Sequence, residues 1–227
     1  MPRPDFADQL AAAARDIGSE DVTNTLDKSV ALAVDLIDGC DAAGVTLVHK
    51  GRSVDTPAYT DSAALRGDQL QYELGEGPCM DAVWAQEVVT STDLIADDRW
   101  PKWAPVVVEE LEMRSMMCIQ LFADEQSLGA LNMYSRSVAA FDDDDRHEGL
   151  VLAAHVAVAL AAAQEIEHLR AAMDRRTVIG QAQGILMERF GVPADRAFAV
   201  LKRVASTSET KLYRVAVDLV ESRQLPE

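Results

Sequence analysis

The stretch Gly180–Pro193 reads GQAQGILMERFGVP. Ile179, Ile185 and Leu186 keep an apolar helical rhythm, yet Gly180 and Gly184 stand inside it. A glycine in a helix interior costs about 1 kcal/mol relative to alanine, so two in such close succession need a use. Four residues apart, they share one helix face. That spacing predicts close approach of another helix to the backbone, with Ile179, Ile185 and Leu186 supplying the apolar packing. The surrounding charge excludes a membrane helix pair of the GxxxG kind. Gly191 then reads as a helix stop, and Pro193 as the start of the next helix, where its missing N–H costs nothing. Ala197, Leu201 and Val204 form that helix's apolar stripe, with Phe198 beside it. Ser208 is expected to cap a third helix carrying Leu212, Val215, Ala216, Leu219 and Val220. Three helices on short connections predict a small bundle.

Charge separates this end from the rest. The chain of 227 residues has a formal net charge of -17. Residues 166–227 hold ten Lys or Arg against eight Asp or Glu, a net of +2, and residues 1–165 hold eleven against thirty, a net of -19. Overall acidity argues against a general nucleic-acid binder, but the asymmetry suggests two parts with different electrostatic tasks. The basic residues of the second part fall into Arg175/Arg176, Lys202/Arg203 and Lys211 with Arg214, near the expected joints between helices. Three cysteines, Cys40, Cys79 and Cys118, are far apart and show neither a disulfide framework nor zinc spacing, which fits a reducing cytoplasm. The start MPRPDFADQL has no long apolar run of a secretory signal, and Val151–Ala163 is too short to cross a bilayer.

Upstream, the pattern predicts an α+β sheet with helices before and after it. Asp5–Ile17 reads as a short helix. Leu26, Val30, Ala33 and Ile37 mark a second, ended at Gly39. AAGVTLVHKG and SVDTPAYT alternate as strands around a Lys-Gly-Arg turn. ELGEGPCMDAVWAQ is a glycine-bearing loop leading into a short helix near Pro78, EVVTST a strand, and DDRWPKWAPVVVEELEM a tryptophan-rich turn and helix. SMMCIQLFA and LGALNMYS, joined by the turn Asp124–Ser127, are apolar on both faces, as central strands under helices are. FDDDD places acids at a helix N-terminus, where they oppose the dipole. It lacks the glycine and spaced ligands of a calcium loop.

From Leu160 to Arg189 no loop signal occurs, which predicts one continuous helix joining the two parts. Ala162, Ile166, Leu169 and Met173 recur at four, three and four, a short a/d seam as a parallel coiled coil has. With charges on both sides of the stripe, it is read as the seam of a homodimer rather than as a face packed on its own domain.

The run RTVIGQAQGILMERFGVPADRAFAVLKRVA, followed by KLYRVAVDLV, resembles an ANTAR domain, an all-α three-helix RNA-binding module of transcription antitermination regulators. Ile179, Ala182, Gly184, Leu186 and Met187, then Ala197, Phe198 and Leu201, then Lys211, Leu212 and Ala216 carry the resemblance, which covers about Leu169 to Gln224. It implies binding of paired stem-loops in mRNA leaders, usually by a dimer, which prevents an overlapping terminator hairpin from forming. The expected RNA-binding residues are Arg175, Arg176, Gln183, Lys202, Arg203, Lys211 and Arg214. Gln183 stands where the family often has Lys, and Ala205, Ser206 and Glu209 stand where it usually has Ser, Gln and Asn. These departures bear on RNA affinity and target sequence.

Val22–Gln164 resembles a GAF domain, of the kind joined to ANTAR in actinobacterial regulators. The resemblance rests on ELGEGPC, DDRWPKW, SMMCIQL, LGALNMYS and FDDDD. It implies a small-molecule ligand in a pocket over the sheet, with Cys79, Trp84, Trp100, Met117, Cys118 and Tyr134 as candidate ligand-binding residues and the ligand unknown. A phosphate-accepting receiver domain is rejected, because the first strand ends in His49-Lys50 without the acidic set. Haem would want an axial histidine, and His155 on its apolar helix reads as packing. A GAF-type methionine sulfoxide reductase would need close thiols, and the three here are evenly spread. No Ser/His/Asp set, phosphate-cradling loop or metal-binding histidine pair is present. The expectation is therefore a non-enzymatic, cytoplasmic, dimeric regulator: residues 1–21 an N-terminal helix, 22–164 a GAF-like sensor, 165–227 an ANTAR bundle. A dimeric protein-interaction module without RNA binding is the alternative.

Overall fold

The computed structural model describes residues 6–17, 21–84, 88–123 and 126–224. Strands β1 (Ala42–Val48), β2 (Val54–Tyr59), β3 (Val88–Ser91), β4 (Ser115–Ala123) and β5 (Gln126–Ser135) form one sheet in the order β2-β1-β5-β4-β3, antiparallel throughout. The three central strands are buried on both faces, as their apolar runs predict. One face is covered by α1 (Phe6–Ile17), α2 (Val22–Leu36) and the first part of α6 (Asp143–Phe190); their core includes Leu26, Val30, Met117, Ile119, Leu131, Met133, Val156 and Leu160. The other face is covered by α3 (Ser62–Leu74), α4 (Pro78–Trp84) and α5 (Trp103–Leu111), around Leu70, Cys79, Trp100, Trp103, Cys118 and Tyr134. Asp5 and Asp124, which the sequence assigned to the first helix and to the β4–β5 turn, lie outside the described residues.

Helix α3 has no counterpart in the sequence reading. Asp61 caps it, its carboxylate accepting from the N–H groups of Ala63 and Ala64, and Gly75 at φ 70° closes it. Its inward face carries Gly67, Asp68 and Gln71, which breaks the apolar rhythm that marks the other helices.

Helix α6 begins well before Leu160. Asp142 accepts the N–H groups of Asp144 and Asp145 at 2.8 and 3.0 Å, while Asp145 accepts the N–H of Asp142 at 3.0 Å. This reciprocal cap gives the acidic run a local role. Part of α6 is long and apolar enough to cross a membrane, but Leu152, Val156, Ala157 and Leu160 of that part lie in the sheet core.

The chain divides into two compact units, Met1–Glu165 and Ile166–Glu227. The second is the expected three-helix bundle: the last part of α6, α7 (Ala194–Thr207) and α8 (Leu212–Ser222) close on Ala182, Leu186, Ala197, Leu201, Val215, Ala216 and Leu219. Three details differ from expectation. Pro193 is the cap of α7 rather than its first residue. Ser208 ends α7, its hydroxyl donating to the Val204 carbonyl at 2.8 Å, and Lys211 occupies the cap position of α8. Most instructive, a Cβ at Gly180 or Gly184 would meet no atom within 4 Å. Among the described residues no helix packs against them, and the small residue on the inner face is Ala182.

Replacing both glycines by alanine is therefore expected to raise the stability of the three-helix unit by about 1–2 kcal/mol through helix propensity alone. Urea unfolding checks this. An unchanged or lowered stability would mean that this face is covered in solution.

Candidate functional site

The sheet face under α3 and α4 holds a closed polar cluster inside an apolar core. Thr46 from β1, Thr56 from β2, Asp68, Gln71 and Tyr72 from α3, Cys79 from α4, and Asn132 and Tyr134 from β5 form it. All are buried except Tyr72, which is half-buried. Asp68 is the acceptor on which the cluster converges. Tyr134 donates to it at 2.6 Å, Asn132 Nδ2 at 2.9 Å and Thr56 at 3.0 Å. A hydroxyl has one proton, so the order of the remaining bonds follows. With the Thr56 proton on Asp68, Tyr72 donates to Thr56 at 2.7 Å, and Thr46 in turn donates to Tyr72 at 2.6 Å. Thr46 then accepts from Asn132 Nδ2 at 2.9 Å and from the Cys79 thiol at 3.0 Å. Gln71 completes the set: its Nε2 donates to Tyr134 Oη at 3.1 Å, and its Oε1 accepts the Cys79 backbone N–H at 2.7 Å.

The backbone leaves room for these groups. A Cβ on Gly44 would stand 2.7 Å from an Asp68 oxygen, and one on Gly67 would stand 3.0 Å from Tyr134 Oη. Burial lifts the Asp68 carboxyl to about 6, against the pull of its donors Tyr134, Asn132 and Thr56. Burial, and the nearness of Asp68, push the Tyr72, Tyr134 and Cys79 protons further from release.

Of the ligand candidates read from sequence, Cys79, Cys118, Trp100 and Tyr134 are buried in one core with the cluster, and Trp84 borders it. Met117 is not among them. It points to the opposite face, into the α2 and α6 core, because alternate strand residues face opposite ways. Trp84 is half-buried, with the Arg52 guanidinium 4.3 Å over its ring. Trp100 donates to Asp81 at 2.9 Å and carries Arg99 at 4.2 Å. Arg99 in turn holds Asp97 down to about 2. Trp103, not singled out in the sequence, donates to the Gly67 carbonyl at 3.0 Å and meets Trp100 edge-on. All three cysteines are free and buried. Burial raises every thiol, that of Cys40 to about 12, so none has thiolate character near neutral pH. His155 is exposed, its ring bonded to the Val151 carbonyl. It lines an apolar groove of about 530 Å³ between β4 and α6, on the other side of the sheet from the polar cluster.

Sequence reasoning missed Thr46, Thr56, Asp68, Gln71, Tyr72 and Asn132. A usable signal was present: Asp68, Gln71 and Tyr72 fall at three and four between a capping Asp61 and a terminating Gly75, and Asn132 interrupts an apolar strand.

In the three-helix unit, Arg175, Arg176, Lys202, Arg203, Lys211 and Arg214 are all exposed. Among the described residues none of the six is in an ion pair. Lys202 lies 5.7 Å from the Phe198 ring. Gln183 donates to the Ala194 carbonyl at 3.2 Å and so ties α6 to the start of α7. Glu209 is exposed at the α7–α8 joint with φ 51°. Ile166, Leu169 and Met173 of the seam are 42%, 55% and 69% exposed and stand outside both apolar cores, so the reading as a face packed on its own domain does not hold.

A family model described as GAF domain matches residues 19–161, and one described as ANTAR domain matches residues 167–220. Among solved structures the chain is similar to the free methionine-R-sulfoxide reductase of Neisseria meningitidis in complex with its substrate. There the identity is 19% over 71% of this chain and 91% of that one, with a TM-score of 0.58. It is also similar to the GAF domain of an Acinetobacter phosphoenolpyruvate-protein phosphotransferase, at 16% identity over 72% of this chain and 97% of that one, with a TM-score of 0.57. At these identities the likeness is one of fold. No curated protein matches the sequence.

The raised carboxyl of Asp68 makes a prediction with a definite sign. The folded state binds this proton more tightly than the unfolded chain does. Its contribution is therefore full below about pH 4 and is lost as pH rises through about 6, a span worth up to about 3 kcal/mol. Asp68→Asn cannot titrate. Across that rise its stability, measured by urea unfolding, should gain on the parent chain by up to about 3 kcal/mol. A difference between the two that does not change with pH would contradict the assignment.

Proposed function

The chain belongs to the GAF domain family and carries an ANTAR domain behind its GAF domain, and from that premise we propose that it is a signal-responsive RNA-binding regulator acting by transcription antitermination. The coarse function follows from the architecture: a ligand-sensing fold joined to an RNA-binding antitermination module, a regulator rather than an enzyme. The finer reading is that the three-helix unit holds paired stem-loops in an mRNA leader and keeps an overlapping terminator hairpin from forming.

The observation that carries this reading is the set of six exposed cations, none in an ion pair among the described residues, on a unit of net +2 in a chain whose remainder is -19. Arg175 and Arg176 on α6, Lys202 and Arg203 on α7, and Lys211 and Arg214 at the start of α8 are free to meet phosphate. The acidic sensor repels RNA that approaches elsewhere. Gln183 is reassigned within this proposal. Its amide already serves the α6–α7 joint, so its part is to position that joint. Two stem-loops call for two bundles, and the exposed stripe Ala162, Ile166, Leu169 and Met173 supplies a seam for a homodimer. Binding two hairpins with two linked bundles gains from effective concentration. A ligand that favours one state of the sensor then biases the pairing along α6. The free thiols fit work in the cytoplasm.

One observation favours a second reading, a ligand-sensing dimer whose bundle meets only protein. Glu209 places an exposed carboxylate at the α7–α8 joint beside Lys211.

Salt separates the two. Binding of a tandem stem-loop RNA should weaken steeply as salt rises, and Lys202→Gln with Arg203→Gln should lower the log–log slope by about 1.4–1.8, at about 0.7–0.9 per phosphate contact. RNA binding that is absent, or that ignores salt and both substitutions, would leave the protein-partner reading.

A further inference from the structure

The cluster around Asp68 has two unmet requirements, and both are for the same chemistry. The first is charge. Asp68 is wholly buried, and all its partners are neutral: two tyrosine or threonine hydroxyls and side-chain amides. Among the described residues no Lys, Arg or His side chain bonds to it. A buried carboxylate is ordinarily paired with a cation, because hydrogen bonds alone leave its charge uncompensated. The second is a lone pair. Asn132 Oδ1 is buried and has no hydrogen-bond partner. The orientation of this amide is fixed, since its nitrogen donates to both Asp68 and Thr46. The orphan is therefore an acceptor that lacks a donor.

The two requirements lie side by side. Asn132 Nδ2 is 2.9 Å from Asp68 Oδ1. The oxygen and nitrogen of an amide are about 2.3 Å apart by standard bond lengths, so the two acceptors are at most about 5.2 Å apart. Two acceptors this close are within the span of one small ligand. No donor of the cluster is unused, so nothing there calls for an anion.

We propose that the sensor unit takes a small molecule bearing a primary or secondary ammonium group, with Asp68 and the Asn132 carbonyl oxygen as its acceptors and Tyr72 as the side chain that admits it. Tyr72 is the most exposed member of the cluster, and its hydroxyl closes the ring between Thr46 and Thr56. Moving it opens a way to Asp68 and frees the two threonine hydroxyls for a polar group next to the ammonium. The ammonium holds Asp68 ionised, which removes the cost of its burial and so stabilises the liganded state of the sensor. Tyr72, Tyr134, Cys79 and the nearby Cys118 keep their protons throughout, all being pushed up by burial. The inference rests on the reading of this unit as a ligand sensor.

Trp103 reports on the site, because its indole N–H bonds the carbonyl of Gly67, the residue before Asp68. The full chain is titrated with methylammonium, ethanolamine and putrescine, and with ethylene glycol and acetate as neutral and anionic controls at matched ionic strength. A saturable change in tryptophan fluorescence is expected with at least one amine and with neither control, and it should be lost in Asp68→Asn. Calorimetry of the unaltered chain keeps the test independent of how that variant folds. At about pH 5, where Asp68 is largely protonated, amine binding should release close to one proton, and at about pH 8 close to none. No saturable response to any of the three amines, an equal response to ethylene glycol, or binding at the lower pH without proton release would overturn the inference. RNA binding measured on the same samples keeps the two readings apart. RNA retained without an amine response sinks only the ligand class, and an amine response without RNA sinks only the antitermination reading.

Discussion

A carboxylate with no access to water organises the sensor. Asp68 sits over β1 on the sheet's α3 face, between β2 and β5, and the surrounding residues are those its burial requires. Tyr134 and Asn132 reach it from β5, Thr56 from the edge strand β2, and Gly44 and Gly67 leave the space a side chain would take. The hydroxyl order from Thr46 through Tyr72 to Thr56 follows from one fact, that an ionised carboxylate only accepts. A network of this kind is tightly specified when satisfied and expensive when broken. It fixes the register of α3 on the sheet in a way that Leu70 and Ala64 alone, which pack non-directionally, do not.

The second unit is held by different means. Its core is seven small or aliphatic side chains, and its surface carries the cations. On the proposed reading, stability and recognition are thus separated by residue type. The exception is Gln183, whose bond to Ala194 makes it part of the scaffold. Helix α6 contributes to both units: Leu152, Val156 and Leu160 belong to the sheet core, Ala182 and Leu186 to the bundle core, and Ile166, Leu169 and Met173 between them belong to neither. An uncovered apolar stretch joining two cores is what a proposed dimeric relay between sensor and effector would use.

Much of this was legible in the sequence. Alternation gave β1 and β2, runs apolar on both faces gave β4 and β5, and three-and-four spacing gave α2, α6, α7 and α8, because in each of these most inward positions are apolar. Helix α3 was not, and for the reason that makes it interesting: its inward face carries Gly67, Asp68 and Gln71 beside Ala64 and Leu70, so the rule that the buried side is hydrophobic fails there. The ligand candidates inherited the error. They were chosen as cysteines and large apolar residues, which led to Met117 on the wrong face and passed over Asn132. Gly180 and Gly184 were read correctly as sharing a face but were assigned to the wrong neighbour, since spacing does not say whether a face turns inward. Ser208 and Pro193 were each placed in the right turn but in the wrong position, an error that the Ser208 side-chain contact and the Pro193 backbone resolve and a pattern does not.

The central claim is that the sensor's state decides whether the basic bundle holds RNA. Crosslinking the protein to RNA in growing cells, and sequencing what is bound under varied growth conditions, tests it most directly. The account predicts enrichment of paired stem-loops just ahead of terminators, in some conditions and not in others. Absence of any enriched RNA across those conditions would contradict it, and would turn attention to Glu209 and Ala205 as positions where a bundle of this fold has given up RNA for a protein partner.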